Sequence, residues 1–256
     1  MSTPAADLPL FLEQVFPLAQ PSRGLVLFTG HASVLRLSQL LCLQYVRRGQ
    51  PVVLMDAANA FDPLLFSDAA RAHRLDLKTM LGAVHLSRAF TCHQLEVLIT
   101  ENLQAAIDTL HPRAVLCLDL LNLLDDEDVP ATEATRIFRH MLPAVEEVCR
   151  RLPILAACPD PAGRVVTPGV IVQGRPRGAL GGFGTSVPAR GAGQLRRQCC
   201  KRLLGIARWH FTARSVPMEC ANTREEAVVI TRERPDPARW EWTLTLKPPH
   251  TFRRPC

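Results

Sequence analysis

Apolar and polar positions alternate along residues 24–160 in a pattern that predicts strands and helices in turn. Short apolar runs, bounded by glycine, proline or charged residues, are typical of buried parallel strands. Five such runs span residues 24–30, 51–56, 83–88, 114–119 and 153–158. Between them, apolar residues recur at helical spacing over residues 34–48, 63–73, 93–110 and 132–151. This alternation predicts an α/β fold, with a mostly parallel twisted sheet flanked by helices.

The last third of the chain has a different pattern. Residues 174–193 hold seven of the chain's 14 glycines together with three arginines. Such a composition excludes the interior of a regular helix or strand and predicts a surface loop. Apolar residues return over residues 227–231 and 240–246, with a proline-rich turn between them, which predicts a C-terminal β-hairpin.

These patterns divide the chain into three parts. Residues 1–23 are a lead-in, residues 24–160 form the core, and residues 161–256 supply the basic glycine-rich loop and the C-terminal strands that complete the same domain.

Charge is distributed unevenly along the chain. The 30 basic and 24 acidic residues give a net charge of +6. Residues 1–160 hold 13 basic and 18 acidic side chains, whereas residues 161–256 hold 17 and 6. Ten basic residues and no acidic residue lie in residues 163–214. A basic third attached to an acidic body indicates a docking face for a polyanion such as nucleic acid.

Composition also bears on the compartment. No apolar run reaches the roughly 18 residues that span a bilayer, and no basic residue precedes Arg23, so we expect neither a membrane partner nor a secretory signal. The nine cysteines are scattered and odd in number, as expected for free thiols in a reducing compartment. A cytoplasmic protein, or a nuclear one in a eukaryote, is the resulting expectation.

Four stretches of the core carry a family resemblance. Residues 53–63 read VLMDAANAFDP, residues 84–95 read VHLSRAFTCHQL, residues 113–119 form an apolar strand ending in Asp119, and residues 138–158 form the next helix and strand. In this order they resemble the ATPase core of the RecA-like recombinases, especially the archaeal and eukaryotic strand-exchange proteins and their paralogues. The resemblance implies a RecA-like core, and it places a flexible DNA-contacting loop at the glycine-rich stretch.

The chain departs from this family where a nucleotide would bind. A phosphate loop needs the pattern G-x-x-x-x-G-K-[ST], whose backbone N–H groups and lysine hold phosphates and whose hydroxyl holds Mg²⁺. Here Gly30 is present, but the second glycine, the lysine and the hydroxyl are replaced by Leu35, Arg36 and Leu37. The family's catalytic carboxylate is matched by Ala58, which cannot activate water.

We therefore expect a degenerate member of the family without catalytic residues, a metal site or a cofactor, ATP being bound weakly or not at all. Its vestigial nucleotide site would consist of Gly30, Arg36, Asp56 and Asp119. One hypothesis pairs Arg36 with Asp56 or Asp119 as a substitute for phosphate and metal, and the alternative makes Asp119 a capping or solvent-facing acid. The acidic run over residues 125–128 is interpreted as a solvated loop or helix flank.

The basic segment supplies the candidate DNA-binding residues. They are Arg164, Arg175, Arg177, Arg190, Arg196 and Arg197. The alternative is a solvated charged face. Aromatic residues make up only 5% of the chain, so we expect few stacking contacts with bases. This favours contacts with the phosphate backbone of single-stranded DNA, without sequence specificity.

Together these features predict a non-hydrolysing RecA-like pseudo-ATPase that assists DNA recombination or repair after DNA damage. It would bind DNA, a recombinase or polymerase partner, or both. The alternatives are an atypical ATPase of the same fold with weak nucleotide binding, and a protein–protein scaffold that does not bind DNA.

Overall fold

The computed structural model describes residues 23–160, 166–167, 170–171, 192–220, 223–234 and 241–245. Its first half alternates strands with helices, as the apolar pattern predicts. The strands are β1 (Gly24–Gly30), β2 (Val52–Asp56), β3 (Val84–Arg88), β4 (Ala114–Leu118) and β5 (Pro153–Pro159). The helices are α1 (Ser33–Val46), α2 (Pro63–His73), α3 (Leu77–Gly82), α4 (Cys92–Val97), α5 (Leu103–Leu110) and α6 (Ala131–Arg151).

The second half adds two short strands, a helix and three longer strands. They are β6 (Val166–Thr167), β7 (Val170–Ile171), α7 (Ala192–Ile206), β8 (Ala207–Cys220), β9 (Thr223–Arg234) and β10 (Glu241–Thr245). Strands β6 and β7 pair only with each other among the described residues.

One sheet organises the described residues, in the strand order β10-β9-β8-β1-β5-β4-β2-β3. The six strands from β8 to β3 are parallel, whereas β9 runs antiparallel to both β8 and β10. The predicted α/β architecture with a mostly parallel sheet flanked by helices is confirmed. The turn predicted between the last two strands covers residues 234–237, of which 235–237 lie outside the described residues.

Helices cover both faces of this sheet. One apolar cluster joins one face of β1, β2, β4 and β5 to side chains of α4, α5, α6 and α7. The other joins the opposite face of these strands to α1, α2 and α3. The central strands β2, β4 and β5 are buried along their whole length, which explains why they appear in the sequence as continuous apolar runs.

Side-chain caps fix where several helices begin. The Asp62 carboxylate accepts a hydrogen bond from the Leu64 N–H, and Pro63 occupies the first turn of α2. Thr91 caps α4 through the Gln94 N–H. The single helix predicted over residues 93–110 is interrupted by a π-helical turn at Leu98–Asn102, so its two halves are α4 and α5.

The sequence analysis predicted neither helix α7 nor strand β8. Helix α7 and strand β8 occupy residues 192–220, so the last two residues of the predicted loop begin α7. The remainder of that loop, residues 174–191, lies outside the described residues. In the part of the chain that the structure describes, no helix is both long enough and apolar enough to cross a membrane.

Candidate functional site

The predicted vestigial nucleotide site lies at the carboxyl ends of β1, β4 and β5, three strands adjacent in the sheet. Asp119 follows β4 and turns the chain, with φ at 52° and its N–H bonded to the Ala157 carbonyl at 2.8 Å. Gly30 ends β1, and its carbonyl accepts the Asp160 N–H at 2.8 Å. Backbone hydrogen bonds therefore hold Gly30 and Asp119 at the carboxyl end of the parallel strands.

Arg196 of α7 neutralises the Asp119 carboxylate from within the protein. Its Nη2 lies 2.5 Å from Asp119 Oδ1 and 2.5 Å from the Pro159 carbonyl oxygen. The two side chains are only 8% and 7% exposed. A guanidinium thus balances the charge of the acid that ends the apolar strand at residues 113–119.

Asp125 adds a second carboxylate to this buried group. Its Oδ2 lies 3.6 Å from Arg196 Nη1, and its side chain is 16% exposed. Its other oxygen, Oδ1, is buried without a hydrogen-bond partner among the described residues. The interpretation of residues 125–128 as a solvated run is therefore wrong for Asp125, because one turn of 3-10 helix, Asn122–Leu124, carries it inward.

Burial governs the protonation of both acids. It raises the pKa of Asp119 from 3.8 to about 6, although the nearby Arg196 opposes this rise. Burial likewise raises the pKa of Asp125 to about 6, and the charge of Asp119 adds to that effect. The pKa of Arg196 is raised because the two carboxylates outweigh the opposite effect of burial. Arg196 is therefore charged, and it faces two acids that release their last proton close to neutrality.

Asp56, at the end of β2, has partners of its own. Its two oxygens accept the N–H groups of Ala60 and Phe61 at 2.9 and 3.1 Å, and Arg88 Nε approaches Oδ2 at 3.4 Å. The side chain is fully buried. Asp56 thus shapes the turn after β2.

Gln39 of α1 holds the same turn from the other side. Its amide donates to the Ala60 carbonyl at 3.0 Å and accepts the Asp62 N–H at 2.8 Å. These contacts fix the backbone around Ala58. Ala58 stands at the position that the resemblance matches to the catalytic carboxylate, so that position carries no acid.

The segment aligned with a phosphate loop is helical. Helix α1 begins at Ser33, only three residues after Gly30, so Leu35, Arg36 and Leu37 lie in its first turns. Leu37 points into the core and is 1% exposed. The His31 N–H, which follows Gly30 directly, donates to the Ala213 carbonyl of β8 at 2.8 Å. The backbone groups of this segment therefore bond within the protein instead of forming an open anion nest.

The hypothesis that Arg36 pairs with one of the two acids is wrong about the donor. Asp56 contacts Arg88, and Asp119 contacts Arg196. Arg36 is half-buried on α1 and has no ion pair with either. A guanidinium does face each carboxylate, but it comes from β3 in one case and from α7 in the other.

The candidate DNA-binding arginines are placed differently from one another. Arg164, Arg175, Arg177 and Arg190 lie outside the described residues. Arg197 is half-buried on α7. Arg196 is 7% exposed and committed to Asp119, which corrects its assignment to an exposed phosphate-binding face, because a guanidinium in this pair is not available to a phosphate.

Three contributors to the site were not predicted from the sequence: Arg88, Asp125 and Gln39. The contact between Arg88 and Asp56 could have been predicted, because the parallel register of β2 and β3 places these two residues side by side. Arg196 and Asp119 are 77 residues apart, and no local pattern connects them.

Comparison with known proteins adds no family to this description. No protein-family model matches the chain, and no curated protein matches it.

Proposed function

We propose that the protein is a non-hydrolysing RecA-like accessory factor in DNA recombination or repair, which binds DNA, a recombinase or polymerase partner, or both. The observation that carries the proposal is the buried contact between Asp119 and Arg196. In a working ATPase of this kind the equivalent acid serves a metal ion at the triphosphate. Here Arg196 of the same chain balances the charge of Asp119 instead.

Other features of the site support the absence of hydrolysis. The segment after Gly30 enters α1 without the glycine, lysine and hydroxyl that phosphates and Mg²⁺ require. Asp56 is occupied by two backbone N–H groups and Arg88. The position of the water-activating acid holds Ala58, so no carboxylate is available there to deprotonate water.

Phosphate release from ATP with Mg²⁺, with and without single-stranded DNA, tests this part of the proposal. We expect the rate to equal that of a buffer blank, and ATP with Mg²⁺ to leave the melting temperature unchanged. Turnover that disappears in Asp119→Asn would instead identify an atypical ATPase. Arg113→Gln is a control, because it removes an exposed charge just before β4, at the opposite end of the strand from Asp119.

The DNA-binding part rests on charge. Residues 163–214 hold ten basic side chains and no acid, and the resemblance aligns the glycine-rich stretch with a DNA-contacting loop. Fluorescence anisotropy with a labelled oligothymidylate measures the binding directly. In the variant R175Q/R177Q/R190Q we expect weaker binding and a salt dependence shallower by roughly 2 logarithmic units per decade, since each lost phosphate contact on a single strand contributes about 0.7. Equal affinity in the variant and the wild type contradicts the assignment.

A separate observation supports a protein partner. Strand β3 forms one edge of the sheet, and Leu86 on it and Phe90 just after it are 38% and 65% exposed. Exposed apolar groups at an open sheet edge are typical of surfaces that pair with another chain. Co-purification with a recombinase, lost in Phe90→Ser and retained in Leu64→Ser, supports docking there. A complex with the recombinase in a protein that does not bind DNA would favour the alternative function, a protein–protein scaffold.

A further inference from the structure

A basic cavity opens at the end of the sheet opposite the Asp119 site. It has a volume of about 640 Å³ and is lined by Arg23, Gly24, Glu146, Cys149, Arg150, Ile206 and Arg208. Its arginines come from three places: the residue before β1, the last turn of α6 and the beginning of β8. All three side chains are exposed to solvent at the cavity.

Among the described residues, three arginines stand beside two acids at this cavity. Arg150 pairs with Glu147 on its own helix, and Glu146 is the acid in the lining. Arg23 and Arg208 have no ion pair among the described residues. Two guanidiniums without an acidic partner in one concavity produce a local positive potential that an anion relieves.

The backbone at the cavity favours the placement of Arg208. Gly24 has φ at 110°, and a Cβ atom built on it would approach both Cβ and Cδ of Arg208 to 3.3 Å. The bare glycine therefore lets the aliphatic part of Arg208 lie against the start of β1. Cys149 and Ile206 add apolar surface to the lining, and Glu146 is the one acidic side chain in it.

From this geometry we propose that the cavity binds a phosphate group through Arg23, Arg150 and Arg208. Guanidinium groups match phosphate because their parallel N–H groups donate to two oxygens at once. The phosphate belongs either to the backbone of a nucleic acid or to a small phosphorylated molecule. The site is distinct from the DNA contacts of the proposed function, which lie in the glycine-rich stretch before α7.

The test compares two variants that lose the same charge. R23Q/R208Q alters the cavity, whereas R47Q/R74Q removes two exposed arginines from helix ends on the other face of the sheet. Binding of two probes, inorganic tripolyphosphate by calorimetry and labelled dT20 by anisotropy, is measured for each at low salt. We expect the cavity variant to bind at least one probe about tenfold more weakly, and the control to change by less than about twofold.

The pattern of losses identifies the source of the phosphate. Tripolyphosphate binding that the cavity variant loses indicates a small phosphorylated ligand, and loss confined to dT20 indicates a nucleic acid backbone. R23K/R208K keeps the charge without the guanidinium geometry, so it should recover part of the affinity and also controls for misfolding. Equal effects of the two arginine-to-glutamine pairs, or no binding of either probe by the wild type, would overturn the proposal.

This outcome is separable from the proposed function. If R175Q/R177Q/R190Q abolishes dT20 binding while R23Q/R208Q has no effect on either probe, the glycine-rich stretch binds DNA and the cavity proposal fails. If only R23Q/R208Q weakens dT20 binding, the cavity binds the strand and the glycine-rich stretch does not.

Discussion

Gly30 ends β1 in a backbone conformation that side-chain-bearing residues rarely adopt. Its φ is 102°, and a Cβ atom there would lie 2.1 Å from the Ala213 carbonyl oxygen. That carbonyl accepts the His31 N–H, so β8 cannot move away without losing the bond. Gly30 is therefore required by the close approach of β8, whether or not a phosphate ever binds nearby.

Replacing Gly30 with alanine should destabilise the protein by on the order of 3 kcal/mol, because it adds backbone strain and a clash with main-chain atoms. Urea unfolding followed by circular dichroism measures the loss. Gly82→Ala is the control, since a Cβ atom at Gly82 meets nothing within 4 Å. Similar losses in the two variants would contradict the role assigned to Gly30.

Arg196 and Arg197 are neighbours on α7 with different surroundings, so they form a matched pair. Arg196→Met leaves Asp119 and Asp125 buried without a counter-ion, and we expect it to cost about 3–5 kcal/mol in unfolding free energy. Arg197→Met should change stability by no more than about 0.5 kcal/mol. Urea unfolding of both variants at pH 7.5 checks this, and an Arg196→Met protein as stable as Arg197→Met would refute the buried pair.

The chemistry of the site was more predictable than its geometry. Asp56 and Asp119 could be located because each ends an apolar strand, and one of the two hypotheses paired one of them with a guanidinium. Arg36 was nevertheless the wrong donor, because Arg88 and Arg196 make the ion pairs with these two acids. Contacts between distant segments, such as the one between Arg196 and Asp119, depend on the tertiary packing of α7.

At the scale of elements, burial on both faces made the strands easy to predict. The run from Gly24 to Gly30 was placed without error, and β2, β4 and β5 within two residues. Helix α7 was missed although its buried residues Leu195, Cys199 and Leu203 recur at four-residue spacing. Cysteines contribute two of the five buried apolar residues of this helix, and it also carries six basic or amide side chains, so the stretch looked like a continuation of the basic loop. Treating buried cysteine as a small apolar residue would have revealed the helix.

Helix α2 offers a test of how local sequence fixes an element. Asp62 Oδ1 accepts the Leu64 N–H at 3.0 Å, and Asp62→Ala removes this cap at a cost of about 1 kcal/mol. Asp68→Ala, on the exposed side of the same helix, should cost less than about 0.5 kcal/mol because its partner Arg71 is also exposed. Urea midpoints of the two variants give the comparison, and an equal shift would mean that the cap does not contribute.

At the scale of the whole molecule, the two ends of the sheet differ in charge. The carboxyl end buries two acids around Arg196, while the amino end opens a cavity with three arginines. Helix α7 connects them, since Arg196 lies near its start and Ile206, at its end, lines the cavity.

The buried acids should make global stability depend on pH with an unusual sign. Asp119 and Asp125 have folded pKa values raised to about 6 from 3.8, so between those values the folded protein binds more protons than the unfolded chain. Their contribution to stability therefore falls as pH rises through this window and levels off above it.

We expect the melting temperature to increase as the pH is lowered from 7.5 to 5.5, and Asp125→Asn to flatten that increase because a neutral amide replaces one titrating acid. Glu127→Gln is the matched control, since Glu127 is exposed in the same loop and should leave the profile unchanged. Differential scanning calorimetry across this range decides the matter. A wild-type melting temperature that falls steadily on acidification from 7.5, with the same slope in Asp125→Asn, would mean that the carboxylates around Arg196 are ionised throughout.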